Sequence, residues 1–235
     1  MESTEQVNKE NILTESVKGL PAEGKIVTIV GVGLISGSFA LALKEKGFAK
    51  KIIGVSRTEA SLLKAKQLGI IDVAMPLEEA VKQSDFIYVA IPVDATITVM
   101  KQIMDLLTDK QMVADAGSTK FVLCDTLKDH PMRRRFIATH PMWGTEYSGP
   151  EAAVRGAFEG RACVICEKEK TDGDVVATVE NFYTTLGMNM VYMDAHSHDI
   201  HAAYISHISH ITQALPSKAP LTAASGPLYS VPHMG

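Results

Sequence analysis

The chain has 235 residues, 46% hydrophobic and 21% charged, which is enough for one large domain or for a domain plus a smaller partner. Its formal net charge of −4 at pH 7 gives no electrostatic case for binding nucleic acid or an anionic membrane. No apolar run reaches the roughly 18 residues that span a bilayer, and the polar N-terminus lacks a secretory signal, so we expect a cytoplasmic protein.

The predicted elements begin at Lys25, after a polar segment of residues 1–24 that we interpret as an N-terminal extension. The strand KIVTIVGVG runs into an amphipathic helix that ends at Gly47, and the strand KKIIGVSR precedes the helix TEASLLKAKQLG. The helix LEEAVKQ leads to the strand DFIYVAIP, and the helix ATITVMKQIMDLL leads to the strand QMVADAG. The helix TKFVLCDTLKD and the strand RFIATH complete this alternating part.

Strands that alternate with helices of about 10 to 15 residues predict βαβ units in a doubly wound, mostly parallel α/β sheet of Rossmann type. After a long loop, the sequence predicts a strand near RACVICE, the helix DVVATVENFYTTLG and the strand NMVYM, and we assign residues 25–193 to this domain. A His-rich helix over residues 194–214 is interpreted as the start of an all-helical second domain. The tail, residues 215–235, is rich in Pro, Ser, Ala and Gly and is predicted to be disordered.

A glycine-rich turn, GVGLISG, joins the first strand to the first helix. Gly31 permits a tight turn, and Gly33 lets the backbone come close to a pyrophosphate. Leu34 and Ile35 open the helix, whose free N–H groups would meet that anion. The third position of the GxGxxG pattern is Ser36, which is small enough for close helix–strand packing. In the first βα turn of such a domain, this pattern predicts a dinucleotide site.

The end of the second strand bears on which dinucleotide is bound. Sites for NAD usually place Asp or Glu here, whereas this chain has Ser56, Arg57 and Thr58. Arg57 could pair with a 2′-phosphate and the two hydroxyls could donate to it, so we expect NADP to be preferred over NAD. In the alternative, Glu59 caps the next helix and Arg57 only lies against the adenine.

Three further segments follow the ends of predicted strands, where ligands bind in sheets of this kind. They are AIPVD, which contains Ile91 and Pro92, DAGSTK, which contains Gly117 and Ser118, and THPMWGTEYSG, which contains His140. We expect Ile91, Pro92 and Gly117 to contact the cofactor.

These motifs carry a resemblance to the prephenate and arogenate dehydrogenase family. HPMWGTEYSG resembles the HPMxGTExSG signature of that family, and DAGSTK is similar to its D-x-G-S-x-K. The segment HDIHAAYISHISH resembles the HDxxxAxxSHxxH helix that opens the family's second domain. With the glycine-rich turn, four motifs fall in the family's order.

The resemblance implies that His140 accepts a hydrogen bond from the substrate's ring hydroxyl and takes its proton as hydride leaves the same carbon. Ser118 would help to fix both groups, so the catalytic pair is His140 and Ser118. A histidine suits this chemistry in its own right, because the alcohol needs a base that works near neutral pH. The residues expected to contact substrate are Ser118, His140, Met142, Gly144, Thr145, Glu146, Ser148, His207 and His210. His198 lies on the same helix as the last two, and that helix would close the site.

The implied reaction is the NAD(P)-dependent oxidative decarboxylation of prephenate to 4-hydroxyphenylpyruvate, or of arogenate to tyrosine, in tyrosine biosynthesis. Decarboxylation and aromatisation would drive it, so no metal ion or covalent nucleophile is required. Trp143 stands where the family often has a small residue, and the choice of substrate stays open.

Two patterns raise the alternative of a metal site. Cys163 and Cys166 form a CxxC, but they lie in a predicted strand, where their odd separation points them to opposite faces. His207 and His210 have a spacing that could ligate zinc, but no carboxylate or thiol cluster accompanies them in the sequence. We therefore interpret the cysteines as core residues and predict no metal; the histidines face substrate or, alternatively, an apolar neighbour.

The resemblance stops near Thr212, and no arginine follows Arg161. Family members continue into a helical domain that forms the dimer core and supplies an arginine for a substrate carboxylate. We therefore expect a homodimer only where that domain is complete, and poor or absent turnover by a shortened chain. Two alternatives remain: a dinucleotide-binding fragment with impaired catalysis, or another Rossmann dehydrogenase such as a β-hydroxyacid dehydrogenase. The latter would need a catalytic lysine on the His-rich helix, which has none.

Overall fold

The computed structural model describes residues 24–214, with side chains described through Tyr204. The predicted tail and nearly all of the predicted extension lie outside these residues. Strands β1 to β8 span Lys25–Val30, Ala49–Val55, Val73–Ala74, Phe86–Val89, Met112–Asp115, Phe136–Pro141, Ala162–Cys166 and Asn189–Met193. Helices α1 to α7 span Leu34–Glu45, Glu59–Gln67, Leu77–Gln83, Val93–Leu106, Phe121–Leu127, Gly173–Thr185 and Ala195–Ala214. Short 3₁₀ helices lie at Arg133–Arg135, Pro150–Ala152 and Lys168–Lys170.

All eight strands form one sheet in the order β3-β2-β1-β4-β5-β6-β7-β8. Neighbouring strands are parallel except for the antiparallel pair β6–β7. The predicted fold class, a doubly wound and mostly parallel α/β sheet, is confirmed. From β1 the chain adds β2 and β3 on one side, and from β4 it adds β5 to β8 on the other. The direction of strand addition therefore switches between β1 and β4. Ligands bind at such a switch point, beyond the carboxyl ends of the strands.

The sheet is buried on both faces, because its strands alternate their side chains between two layers of helices. On one face, Ile29 and Tyr88 pack with Phe39 of α1 and Phe182 of α6. On the other face, the neighbouring strand residues pack against Met100 and Ile103 of α4 and Leu123 of α5. The two layers hold the strand ends rigidly at the edge where the predicted motifs lie.

The two cysteines of the CxxC are separated by this alternation. Cys163 is buried in the core on the α1 side, and Cys166 is buried in the core on the α4 side. Burial raises the pKa of the Cys166 thiol to about 12 and also raises that of Cys163. The interpretation of both as core residues is confirmed.

Strand β7 runs antiparallel to β6, and this direction determines where the loop between the two strands lies. His140 of β6 pairs with Val164 of β7. Because an antiparallel neighbour begins at the edge where the previous strand ends, the loop of residues 142–161 leaves and re-enters the sheet at its carboxyl edge. Residues 24–214 include no helix that is long and apolar enough to cross a membrane.

Candidate functional site

The glycine-rich turn closes tightly between β1 and α1. Gly31 has φ of +87°, a conformation that L side chains rarely adopt. The Ser36 hydroxyl, which is fully buried, donates to the Gly31 carbonyl and accepts from the Gly33 N–H at 3.1 Å. Ser36 thus supports the turn from a buried position. At the next residue, Gly37, a β-carbon would lie 2.8 Å from the Ala153 β-carbon.

Gly33 has a different environment from Gly31. A β-carbon built at Gly33 meets no atom within 4 Å, so the space in front of it is open. Gly33 also caps α1 without a side-chain hydrogen bond, and Leu34 and Ile35 form the first turn beside it. An open backbone surface at a helix N-terminus is what a pyrophosphate needs.

A cavity of about 660 Å³ extends from this turn along the end of β2. Gly31, Gly33, Ile91 and Pro92 border it at one end. At the other end lie Ser56, Arg57 and Thr58. The Ser56 hydroxyl accepts the Thr58 N–H at 3.2 Å, which forms a small turn around the exposed Arg57. No described carboxylate lines this cavity.

A second cavity of about 380 Å³ adjoins the first, and Gly33, Ala90, Ile91 and Pro92 border both. Its walls come from α1, from the segments after β4 and β5, and from the end of β6 with its following loop. The lining residues that the sequence singled out are Gly33, Leu34, Ile35, Ile91, Pro92, Gly117, Ser118, His140, Trp143 and Ser148. The structure therefore brings the predicted cofactor residues to two joined cavities, together with three of the predicted substrate residues, Ser118, His140 and Ser148.

A buried ion pair joins the end of β5 to the residue before α5, near the second cavity. The Lys120 ammonium donates to the Asp115 carboxylate, and both side chains are almost fully buried. The same carboxylate accepts the Gly117 N–H at 3.0 Å and the Thr139 N–H at 3.3 Å. Burial raises the pKa of the Asp115 carboxyl, while Lys120 and the two N–H groups act in the opposite direction. The pair ties the end of β5 to the residue before His140.

A series of buried hydroxyl groups contacts the end of β6. Thr139 donates to the Asp115 carbonyl and lies 3.0 Å from the Tyr183 hydroxyl, which in turn donates to the Tyr88 hydroxyl at 3.2 Å. All of these hydroxyls are buried. These contacts link the end of β6 to β5, to α6 and to β4.

His140 is the imidazole that borders the second cavity. Its Nδ1 atom lies 2.8 Å from Nε2 of His198 on α7. Its Nε2 atom has no hydrogen-bond partner among the described residues. Burial lowers the pKa of His140 to about 4, helped by the Lys120 charge and by His198 and opposed by Asp199. The ring is therefore neutral at physiological pH and can act as a base.

Ser118 is placed on the cavity wall but does not hold His140. It is exposed, and its hydroxyl has no hydrogen-bond partner within the described range. In this structure the His140 ring contacts His198, and the supporting role that the resemblance assigns to Ser118 stays a prediction. The motif DAGSTK pointed to this place, yet the supporting roles of Asp115 and Lys120 were missed, because residue types alone do not show burial.

The remaining predicted substrate residues fall in three places. Ser148 lines the second cavity, and Met142 is half-buried against the core on the α4 side. Gly144, Thr145 and Glu146 are exposed on the loop after β6 and do not line either cavity. His207 and His210 belong to α7, but their side chains lie outside the described residues.

Trp143 is part of the wall of the second cavity. Its ring packs on the edge of Phe158, with ring centroids 5.8 Å apart and an interplanar angle of 63°. The side chain is half-buried, so it narrows the cavity from the loop side. Among the residues with described side chains, no group of three or more His, Cys, Asp or Glu is arranged to hold a metal ion.

Comparison with known families identifies the domain. The family model for the nucleotide-binding domain of prephenate dehydrogenase matches residues 39–192, more than half of the chain. The chain belongs to the prephenate dehydrogenase family. The sheet described above is the nucleotide-binding domain of that family. The match begins beyond the glycine-rich turn, so the turn is supported by its own geometry.

Individual family members agree with this assignment. A prephenate dehydrogenase from Bacillus subtilis is 31% identical over 191 residues, which cover 80% of this chain and 52% of that protein. The crystal structure of prephenate dehydrogenase from Aquifex aeolicus superposes with a TM-score of 0.73 at 33% identity, covering 79% of this chain and 67% of that one. Another structure from A. aeolicus, in complex with hydroxyphenyl propionate and NAD⁺, gives 0.71 at 28% identity over 87% of this chain and 76% of that one. The chain spans about half the length of the curated prephenate dehydrogenases it matches.

Proposed function

We propose that the chain binds NAD(P) across the two joined cavities, and that the protein catalyses the oxidative decarboxylation of prephenate or arogenate. The observation that carries the proposal is the position of His140. A neutral imidazole, with its pKa lowered to about 4, borders the same cavity as the glycine-rich turn. A base and a dinucleotide site at one junction support dehydrogenation of an alcohol.

The residues around the turn fit a dinucleotide. Gly33 leaves open space at the N-terminus of α1, and Ile91 and Pro92 give apolar walls to both cavities. A bound nicotinamide supplies the acceptor for the hydride that leaves the substrate's ring carbon. The chain's own part is to orient the cofactor and to exclude water from that carbon.

His140 is proposed to move one proton. It takes the proton of the ring hydroxyl through Nε2 as the carbon–oxygen double bond forms. The ring carboxylate then leaves as CO₂, its electron pair makes the ring aromatic, and the phenolate oxygen takes a proton back from His140. The products would be 4-hydroxyphenylpyruvate from prephenate and tyrosine from arogenate.

The end of β2 favours NADP over NAD in this proposal. Among the described residues, no carboxylate lines this end of the cavity to accept from a ribose 2′-hydroxyl, and Arg57 is exposed at the cavity edge. A 2′-phosphate would gain a charge-assisted hydrogen bond from that guanidinium. The relative from A. aeolicus was solved with NAD⁺, so affinities for both cofactors have to be measured.

The roles of the predicted substrate residues remain part of the proposal. Ser118 and Ser148 line the cavity beside His140 and offer hydroxyl groups to a polar substrate. Met142, Gly144, Thr145 and Glu146 would contribute through the loop, and His207 and His210 through α7. The assignment of residues 194–214 to a second, dimer-forming domain also remains a prediction.

A second candidate function is dinucleotide binding without turnover by this 235-residue chain. One observation favours it: among the described residues, no Lys or Arg lines the cavity beside His140. Either substrate carries two carboxylates, which would find no cationic partner within that wall.

An absorbance assay at about 340 nm, where reduced nicotinamides absorb, separates these functions. The purified chain is mixed with NAD⁺ or NADP⁺ and with prephenate or arogenate, and cofactor affinity is measured in parallel by the fluorescence of NADH and NADPH. Reduction of either cofactor supports the first function and identifies the substrate. Binding without reduction favours the second, and absence of both would contradict the proposed dinucleotide site.

A further inference from the structure

A second imidazole lies directly behind the proposed base. His198, in the first turns of α7, is 2% exposed, and its Nε2 atom is 2.8 Å from Nδ1 of His140. The ring centroids are 5.0 Å apart, and the ring planes meet at 71°. This is the geometry of a hydrogen bond between rings and not of stacking. Either ring could be the donor from distance alone.

The neighbouring carboxylate decides which nitrogen of His198 carries a proton. Nδ1 of His198 lies 2.7 Å from Oδ1 of Asp199. An ionised carboxylate only accepts hydrogen bonds, so Nδ1 of His198 must donate. A neutral His198 then has its lone pair at Nε2, facing His140.

Asp199 is itself held in place as an anion. Its Oδ1 atom accepts the Lys120 N–H at 2.7 Å, and its Oδ2 atom accepts the Phe121 N–H at 2.9 Å. Burial acts to raise the pKa of Asp199, but the bonds from His198 and from these two N–H groups outweigh it, and the pKa lies below its ordinary value. The carboxylate is therefore ionised near neutral pH and is oriented by these three hydrogen bonds.

We propose that His198 and Asp199 are positioning residues that set the tautomer of His140. Since Nε2 of His198 is an acceptor, Nδ1 of His140 carries the proton and donates to it. Nε2 of His140 is then left with a lone pair, on the ring that lines the second cavity. Free histidine in water favours the opposite tautomer, with the proton on Nε2, so the protein has to impose this one. The catalytic meaning rests on the proposed function; the tautomer does not.

The other charges near His140 belong to Lys120, which is paired with Asp115, and to Asp199. A competing arrangement would make His198 an imidazolium that donates from Nε2 to His140. The proton of His140 would then sit on Nε2, and the ring would present a donor to the cavity. The two arrangements differ in which nitrogen of His140 is protonated.

Long-range ¹H–¹⁵N correlation spectra of the ¹⁵N-labelled chain, without cofactor or substrate at about pH 8, where histidines are mostly neutral, read this directly. Signals are assigned with His140→Asn and His198→Asn. We expect both rings to show a protonated Nδ1 and an unprotonated Nε2. A His140 ring protonated on Nε2, or averaged between the two nitrogens, would overturn the proposal.

Two substitutions of His198 give a matched pair. His198→Gln places a side-chain oxygen near the position of Nε2 and keeps an acceptor, whereas His198→Leu keeps comparable volume and removes it. We expect the glutamine variant to retain the Nδ1–H tautomer of His140 and the leucine variant to lose it, with melting temperatures measured to show that both fold. If turnover is observed, it should fall by about 10- to 100-fold in the leucine variant and recover in the glutamine variant. Identical His140 spectra in the two variants would contradict the inference.

The spectra separate this inference from the proposed function. A chain that forms no NADH or NADPH but shows the expected tautomers refutes the activity and keeps the positioning pair. A chain that turns over substrate but has His140 protonated on Nε2 supports the activity and refutes the positioning pair.

Discussion

The α-carbon of Gly31 packs against the backbone of Ala90, so that a β-carbon there would overlap the Ala90 carbonyl oxygen. It would also lie 2.8 Å from the Ile91 side chain. Because of these close contacts and its positive φ, this position needs a glycine for the turn to form. Gly33, two residues on, has neither constraint. Gly31 is therefore needed for the fold, whereas Gly33 leaves open space in front of the turn.

Alanine at these two positions should have opposite effects. Gly31→Ala forces a strained backbone and an overlap, and should lower the free energy of unfolding by about 1–3 kcal/mol. Gly33→Ala should leave stability nearly unchanged and weaken binding of NADH and NADPH by roughly tenfold or more, because the methyl group occupies the space of the pyrophosphate. Thermal melts and fluorescence titrations check both, and unimpaired binding by Gly33→Ala would argue against a pyrophosphate at the turn.

Arg57→Ala should shift cofactor preference. If Arg57 binds the 2′-phosphate, its loss should weaken NADPH binding by about 10- to 100-fold, while NADH binding should stay within about twofold. Arg161→Ala, at another exposed arginine, is the matched control and should change neither affinity. An equal loss of both cofactors in Arg57→Ala would mean that the guanidinium lies against the adenine instead.

The lowered pKa of His140 makes stability depend on pH. An unfolded histidine takes up a proton near pH 6.5, whereas folded His140 does so only near pH 4. Between these values the unfolded state binds more protons, so stability falls as pH falls, by on the order of 3 kcal/mol in total. Urea unfolding of the parent chain and of His140→Asn over this range should diverge by that amount. Parallel curves would show that the pKa is not lowered.

Lys120→Met should be strongly destabilising because it leaves the Asp115 carboxylate buried without its cation. The expected loss in unfolding free energy is about 3–5 kcal/mol. Lys128→Met is a matched control: Lys128 is exposed and pairs with Asp125 at 2.9 Å, so its loss should be close to neutral. Similar denaturation midpoints for the two variants would contradict a structural role for the buried pair.

Much of the fold was predictable because most of the strands are apolar runs separated by helical patterns. β1, β4 and β5 follow the predicted runs closely. β3 was missed because two residues, Val73 and Ala74, are too few to show a period. The antiparallel direction of β7 was also not predicted, since a strand pattern does not encode which way the strand runs.

The part of the site that could be predicted consists of motifs at the ends of strands. Gly33, Ser118 and His140 do meet at one cavity, as parallel strands whose ends share an edge require. The contact of His140 with His198 joins residues 58 positions apart, and only the packing of α7 against the sheet creates it. The HD pair was visible in the sequence, but its orientation toward His140 was not.

The most direct test of the proposed function is the kinetic behaviour of His140→Asn beside His201→Asn, a substitution at an exposed histidine of α7. Turnover is followed at about 340 nm, where reduced nicotinamides absorb, and cofactor affinity is measured by fluorescence. If His140 is the base, its variant loses about 100- to 10,000-fold in kcat with unchanged cofactor affinity, while His201→Asn matches the parent chain. A His140→Asn variant that keeps its turnover, or that loses turnover and cofactor affinity in equal measure, would contradict this role.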